Sequence, residues 1–344
     1  MKKWGLLKIV KAQSRITLQD LGRVGWQHLG VCQSGAADEH AFLWANKLLG
    51  NPCNTVALEI LFGQAIFEFT ADTVIAITGA QTPVFINQQP AALWQTHRIK
   101  SGDIVEFKHP LAGLLNYLVI KKGFKIKPLV CNSLSQCERE GLGPFNGKPL
   151  TAGCYLGFEL GPRMTDHLAI NKALNPKYIP NYNAPLVLPI YPNTHRQYAN
   201  AVNVFVNTDY TVSPVSNRMG YRLIPESFPK LIPRVLSKTA PQKKYKEPHP
   251  LEYYAKKLGA KTVSAGVALG CVQLPPNGEP IILLKDRQTM GGYPVLGCIS
   301  QTSTFRLAQC RPGQAVKFQI ANPEDRLKNA RQLQNIKIFF AKGS

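Results

Sequence analysis

The chain has 344 residues, 44% of them hydrophobic and 18% charged, and its 41 lysines and arginines outnumber 20 acids for a formal charge of +21. This apolar content supplies a substantial core and excludes wholesale disorder, and the length suggests two domains of roughly 100–200 residues each. Lys8 and Lys11 interrupt the N-terminal apolar residues before a signal core of about 7–15 residues forms. No stretch reaches the ~20 apolar residues of a membrane span, so a soluble, cytoplasmic chain without membrane contact is expected.

The first element in chain order is a glycine-rich stretch, 17–38, that runs into a helix. Ala41, Phe42, Ala45, Leu48 and Leu49 share one face of that helix, and Gly50 supplies a C-terminal stop. The apolar run 56–62 reads as a strand with one carboxylate, Glu59, inside it. Short β-branched runs at 74–77, 84–86, 118–120, 202–206 and 281–284 are also read as strands. Asn277-Gly278, between 271–274 and 281–284, supplies positive φ and predicts a hairpin. Near the C-terminus, Asn322-Pro323-Glu324-Asp325 gives an N-cap, a first-turn proline and first-turn acids, and 336–340 reads as a last strand.

A weak internal repeat accompanies this pattern. S-G-D-I-V-E-F at 101–107 resembles P-G-Q-A-V-K-F at 312–318, with A-G-C-Y-L-G-F at 152–158 as a looser copy. Each reads as a glycine turn feeding an alternating strand, which suggests a mainly β protein of two related barrel domains with a few short helices.

The positive charge is uneven: residues 1–172 hold 18 basic and 12 acidic side chains, and residues 173–344 hold 23 and 8. The densest basic stretch, 238–261, contains Pro241, Pro248 and Pro250 and is read as a solvated surface loop. A nucleic-acid partner is disfavoured for want of a recognition motif, whereas a small anionic ligand or an acidic partner would suit the charge. The eight cysteines are scattered without a C-x-x-C pair, so reduced thiols are expected rather than a disulfide framework or a metal site.

Three groups of residues could carry chemistry. In the glycine-rich loop, Arg23, Ser34 and Gly35 precede a helix N-terminus, where bare N–H groups can hold an anion and Asp20 can steady Arg23. The same loop could instead need its glycines only for turns, with Asp38 as an N-cap. The second group joins Asn217 and Arg218 to Asp286, Arg287, Gln288, Thr289, Gly291, Gly292 and Tyr293. Its arginines offer forked contacts to a carboxylate or phosphate, or else a structural Asp–Arg tie between loops. Glu59, facing inward, would be paired or act as a base; alternation in its strand favours a face toward solvent or a cleft. No G-x-x-x-x-G-K-[ST] or G-x-G-x-x-G motif occurs, so any ATP would be held by neither a P-loop nor a Rossmann turn.

Five motifs in order, T-L-Q-D-L-G-R-V-G-W-Q-H-L-G-V-C-Q-S-G-A-A-D (17–38), A-L-E (57–59), S-N-R-M-G-Y-R-L (216–223), Q-L-P-P-N-G-E-P (273–280) and D-R-Q-T-M-G-G-Y-P (286–294), closely resemble the biotin-dependent carboxyltransferase family. This family includes allophanate hydrolase subunit 2, KipA and the 5-oxoprolinase C subunit, the last being the member the chain most resembles. The resemblance implies two cyclophilin-like β-barrel domains, expected at 1–200 and 201–344, the second carrying the basic loop. It implies a C subunit of 5-oxoprolinase that works with a KipI-like B subunit and with the A subunit to open 5-oxoproline to glutamate using ATP shared with a partner. Biotin is not expected on this chain, which lacks an A-M-K-M site. Arg218, Arg287, Asp286 and Glu59 would be catalytic, and Arg23, Ser34, Gly35, Asn217, Gln288, Thr289, Gly291, Gly292 and Tyr293 would contact substrate. A KipA-type regulator that binds a KipI-like partner, or a carboxyltransferase-like subunit that acts on an amide such as urea, are the alternatives. The sequence departs from the usual family pattern at Asn116, Lys121, Lys122, Cys154 and Ala265.

Overall fold

The computed structural model describes residues 4–128, 130–160, 172–226 and 249–322, together with Glu324, Leu327, Arg331 and Phe340. Residues 4–159 supply eleven strands and one α-helix: β1 (Trp4–Ala12), β2 (Ile16–Gln19), α1 (Glu39–Leu49), β3 (Ala57–Leu61), β4 (Ala65–Phe69), β5 (Thr73–Gln81), β6 (Val84–Ile86), β7 (Gln89–Ala91), β8 (Gln95–Ile99), β9 (Ile104–Phe107), β10 (Ala112–Ile120) and β11 (Tyr155–Glu159). They form a six-stranded sheet in the order β11-β1-β4-β9-β6-β7 and a five-stranded sheet in the order β2-β3-β10-β5-β8. Alternate residues of the two sheets meet in one core, with Leu7, Ile9, Phe67 and Phe107 facing Leu58, Ile60, Ile77 and Leu118.

The second face of the five-stranded sheet is covered by α1, whose Ala41, Phe42, Ala45 and Leu48 pack on Ala57, Ala76, Tyr117 and Val119. Because both faces are covered, β3, β5 and β10 read as almost continuous apolar runs. The helix is bounded as its sequence predicts. Asp38 accepts the Ala41 N–H, Gly50 adopts the left-handed region, and the Lys121 ammonium donates to the Leu49 carbonyl at the negative end of the dipole.

The remaining described elements are β12 (Leu186–Pro192), α2 (Ala199–Val206), β13 (Tyr210–Val212), β14 (Gly220–Pro225), α3 (Pro250–Gly259), β15 (Ala265–Gly266), β16 (Cys271–Gln273), β17 (Ile281–Leu283), β18 (Met290–Gly291), β19 (Val295–Ile299), α4 (Gln301–Leu307) and β20 (Ala315–Ile320). Seven of them close a barrel in the order β12-β19-β16-β17-β14-β13-β20, sealed by a parallel pairing of β12 with β20. Ile190, Tyr210, Leu223, Val272, Ile282, Leu296 and Phe318 fill it, and Phe205 of α2 with Leu251 and Ala255 of α3 join the same core. The barrel begins at Leu186, ahead of the expected division at residue 200. The chain is therefore mainly β, with the four short helices α1 to α4 between residues 39 and 307.

The glycine turns of the repeat are present in all three copies. Gly102, Gly153 and Gly313 have φ of 89°, 89° and 81° and lead into β9, β11 and β20. Asn277-Gly278 turns β16 into its antiparallel partner β17, with Gly278 at φ 75°.

Three expectations are corrected. The run 202–206 is the end of α2 rather than a strand: Ala201, Val202 and Phe205 are buried at helical spacing while Asn203 is exposed. Within the basic stretch 238–261, residues 238–248 lie outside the described ones, but 250–259 is an amphipathic helix whose Leu251, Ala255 and Leu258 are buried in the barrel core. Phe340, at the end of the expected last strand, is helical, while 336–339 lie outside the described residues.

The two halves meet along a polar seam in which the Gln309 side chain, just beyond α4, makes four hydrogen bonds. Its Oε1 accepts the Leu114 and Leu115 N–H groups at 2.8 and 2.9 Å, and its Nε2 donates to Asp38 at 2.7 Å and to the Leu115 carbonyl at 3.1 Å. Gln309→Ala strands buried donors on β10 and removes a partner of Asp38. It is expected to lower unfolding free energy by about 2–3 kcal/mol, read as a lower denaturation midpoint in urea.

Candidate functional site

Glu59 sits in the middle of β3, opposite Thr17 of β2 on one side and Tyr117 of β10 on the other. It is buried rather than turned to open solvent, and its face borders a cavity between the two halves, the cleft that alternation allowed. Its Oε2 accepts the Ala37 N–H at 2.9 Å and the Tyr117 hydroxyl at 2.7 Å, and its Oε1 accepts from Nη1 of Arg218. Arg218 precedes β14 in the other half. Its Nε and Nη2 form a fork on Asp286 at 2.8 and 3.0 Å, and Nη2 also reaches the Gly35 carbonyl at 2.7 Å. The backbone closes this loop, since the Asp286 N–H donates to the Arg218 carbonyl at 2.9 Å.

This carboxylate–guanidinium–carboxylate group fixes charge states. Burial works against the Arg218 charge, but Asp286 and Glu59 outweigh it and hold the pKa well above its ordinary value. Burial, then the charges of Glu59 and Asp38, push the Tyr117 phenol well above its usual range, so it stays a donor to Glu59. A second buried ion pair crosses the seam beside it: Lys285 donates to Glu39, whose two oxygens also accept from Gln301 at 3.1 and 3.0 Å.

A cavity of about 410 Å³ opens over the Arg218 group. Leu61, Leu114 and Leu115 of the first half face Met219, Tyr221 and Leu284 of the second across it. Its polar border carries Arg139, Asn217 and the Arg15–Glu138 pair, whose charged atoms are 2.6 Å apart. An apolar chamber with charged groups of both signs at one end, Arg139 among them paired with Glu140, suits a small ligand that is part hydrocarbon and part polar.

The structure brings Glu59, Asn217, Arg218 and Asp286 to this cavity and places Gly35 behind it, as an acceptor for Arg218. The other expected contacts lie elsewhere. Arg23 is fully buried in the loop, donating from Nη2 to the Ser135 carbonyl at 2.6 Å. Ser34 is also buried, its hydroxyl donating to the Gln136 carbonyl at 3.1 Å. Arg287 is 6% exposed and does not line the cavity; among the described residues it has no carboxylate partner, only bonds of 3.3–3.4 Å to Gln33, Leu284 and Val267. Gln288 donates to Gln273 at 3.3 Å, the Thr289 carbonyl accepts the Val267 N–H, and Gly291 pairs with Ala265 in the β15–β18 ribbon, with Gly292 and Tyr293 exposed beyond it.

The glycine-rich loop is not an open anion cradle. The N–H groups ahead of α1 already have acceptors: Gly22 donates to Asp20, Ala37 to Glu59 and Asp38 to the Tyr117 oxygen. The anion at this helix end is the protein's own Glu59. Its glycines serve the turn, since a Cβ on Gly22 (φ 83°) would lie 2.5 Å from the Gln33 and Ser34 carbonyls. Asp20 does not hold Arg23 but accepts from Ser133 and Ser135 at 2.8 and 2.5 Å.

Cys32, Cys137 and Asp286 bring possible ligand atoms within 4.8 Å of one another. Both Asp286 oxygens are engaged by Arg218 and the Arg287 cation acts on Cys32, so this set does not fit a divalent metal. The departures from the family pattern lie off the cavity wall. Asn116 is buried and ties Thr82 to the carbonyls of Thr78 and Ala80, Lys121 caps α1, and Lys122 pairs with Glu159 on the surface.

Glu39, Lys285, Tyr117 and Gln309 escape a reading of the sequence. A lone polar residue in an apolar run, such as Lys285 after I-I-L-L, is the available signal for burial with a partner.

Residues 29–320 match the carboxyltransferase domain, subdomain A and B, and the chain belongs to that family. It is 33% identical over 331 residues to the 5-oxoprolinase C subunit of Escherichia coli K12, an alignment that covers 96% of this chain and 95% of that one. To the 5-oxoprolinase C subunit of Haemophilus influenzae it is 28% identical over 329 residues, 95% of each chain. The fold also superimposes on the Kluyveromyces lactis urea amidolyase with a TM-score of 0.78 at 23% identity, covering 97% of this chain but 20% of that one.

Arg218→Ala is expected to destabilise the protein by about 3–5 kcal/mol, because it strands two buried carboxylates. Adding Glu59→Gln and Asp286→Asn should restore part of that loss, measured by guanidinium denaturation of all variants.

Proposed function

We propose that this chain is the C subunit of an ATP-dependent 5-oxoprolinase, acting with a KipI-like B subunit and with the A subunit. The observation that carries this reading is the cavity between the halves, apolar along its walls and charged at Arg218, in a chain whose alignments with its C-subunit relatives cover at least 95% of each partner.

The chemistry asks for such a chamber. A lactam carbonyl is a poor electrophile; transfer of the ATP γ-phosphoryl group to its oxygen releases ADP and activates the carbon, one water adds there and the ring C–N bond breaks to leave an acyl phosphate, and a second water cleaves that to glutamate and phosphate. The leucines and Met219 would hold the ring methylenes and exclude bulk water. Of the five N–H bonds of Arg218, four are bonded within the protein, leaving one on Nη1 for a developing negative charge. Glu59 and Asp286 would act as positioning residues that fix the guanidinium plane, and Arg15 and Arg139 would meet the substrate carboxylate. Gln288, Thr289 and Tyr293, which follow the buried Arg287, would serve a surface that faces the partner or its share of ATP. Biotin has no attachment site on this chain in this reading.

The test is reconstitution. Mixed with the A and B subunits, the chain should support glutamate formation that requires both ATP and 5-oxoproline, and no turnover beside an active control C subunit would reject the assignment. Met219→Trp, which fills the cavity from a half-buried wall position, should lower kcat/KM at least ~10-fold with an unchanged urea midpoint.

A further inference from the structure

The cavity leaves unused a pair of thiols in the barrel wall. Cys271 of β16 and Cys298 of β19 are direct register partners on antiparallel strands, and their sulfurs are 3.1 Å apart. The Ile299 N–H donates to the Gly270 carbonyl at 2.9 Å. The two cysteines therefore form a non-hydrogen-bonded pair, the closer of the two antiparallel spacings, with Cα atoms about 4.5 Å apart. That spacing lies within the range a disulfide spans, so the strands need not move to be bridged.

The surroundings also favour the thiolate of Cys271. Its sulfur accepts the Ala268 N–H at 3.3 Å, the Cys298 thiol bonds to it, and the Arg287 guanidinium, which has no carboxylate partner among the described residues, adds positive charge. The Cys298 bond, followed by the Ala268 N–H and Arg287 and opposed by burial, brings the Cys271 pKa down to about 7. Cys298, by contrast, is pushed up and keeps its proton. It is the more open of the two, half-buried beside Val267 and Val295. This gives one nucleophilic and one resolving sulfur.

We infer that Cys271 and Cys298 are a reversible thiol-oxidation site, which hydrogen peroxide converts to a disulfide across β16 and β19. The Cys271 thiolate attacks one peroxide oxygen and the O–O bond breaks, giving a sulfenic acid and hydroxide, which takes up a proton to become water. Cys298 then gives up its proton, its sulfur attacks the sulfenyl sulfur, and the S–O bond breaks as a second water leaves. Two thiols are oxidised and one peroxide is reduced to two waters. Closure removes the thiolate beside Arg287, on the loop that also carries Asp286.

The full-length reduced protein is titrated with hydrogen peroxide, thiols are counted, and peptides are mapped without reduction. The expected result is loss of two of the eight thiols, one linked peptide joining Cys271 to Cys298, and full recovery with dithiothreitol. The thiolate fraction predicts that the rate rises ~10-fold from pH 6 to pH 8. Cys298→Ser should stop the reaction at a Cys271 sulfenic acid trapped by dimedone. A Cys32–Cys137 or intermolecular bridge in the wild-type protein overturns the inference. So does a Cys271 sulfinic acid beside a free Cys298, or survival of both thiols in excess peroxide.

Discussion

One guanidinium holds this molecule in register. Arg218, largely withdrawn from solvent at the cavity wall, is shared between Glu59 of the first half and Asp286 of the second. Its net stabilisation is modest, because removing three charged groups from water offsets most of their attraction. The larger penalty falls on every arrangement that leaves one of them alone. Halves docked a few ångströms out of place would strand Glu59 among leucines and Asp286 beside two thiols. The excess negative charge of the group is met by the Ala37 N–H and the Tyr117 hydroxyl, so the start of α1 is part of the same device. The cavity exists because these contacts keep β3, β10 and the loop before β14 at a fixed separation.

The elements most legible in the sequence are those whose local chemistry agrees with their packing. Helix α1 carries its cap, apolar face and glycine stop within thirteen residues, 38–50, and the Asn277-Gly278 turn needs nothing beyond its own backbone preference. The run V-N-V-F-V at 202–206 misleads because β-branched residues there sit at helical spacing against the barrel, so tertiary burial overrides strand propensity. The lysine-rich stretch misleads in the opposite sense. Its charge suggests a solvated loop, yet Leu251, Ala255 and Leu258 give 250–259 one apolar stripe that the barrel covers.

At the site, the sequence identifies residue types and the structure assigns them different tasks. Arg218, Asp286 and Glu59 converge as a triad, although they are separated by long intervals of chain. Arg287, adjacent to Asp286, does not line the cavity; its guanidinium bonds Gln33, Leu284 and Val267 instead. Ser34 and Arg23 are consumed by the turn that supports Gly35. No linear pattern separates a glycine that admits a ligand from one that lets two protein carbonyls approach. The distinction appears only when Gln33 and Ser34 are seen against Gly22. Likewise, the lysine that departs from the family pattern at 121 closes the end of a helix rather than altering the site.

The parallel pairing of β12 with β20 has a kinetic consequence. Leu186 meets Val316 across a loop of about 130 residues, so the ring cannot shut until nearly all of that segment is available. The strands of the first half all precede residue 160, so its sheets pair without that long closure, and Glu59 meets its cation only where Arg218 of the second half docks.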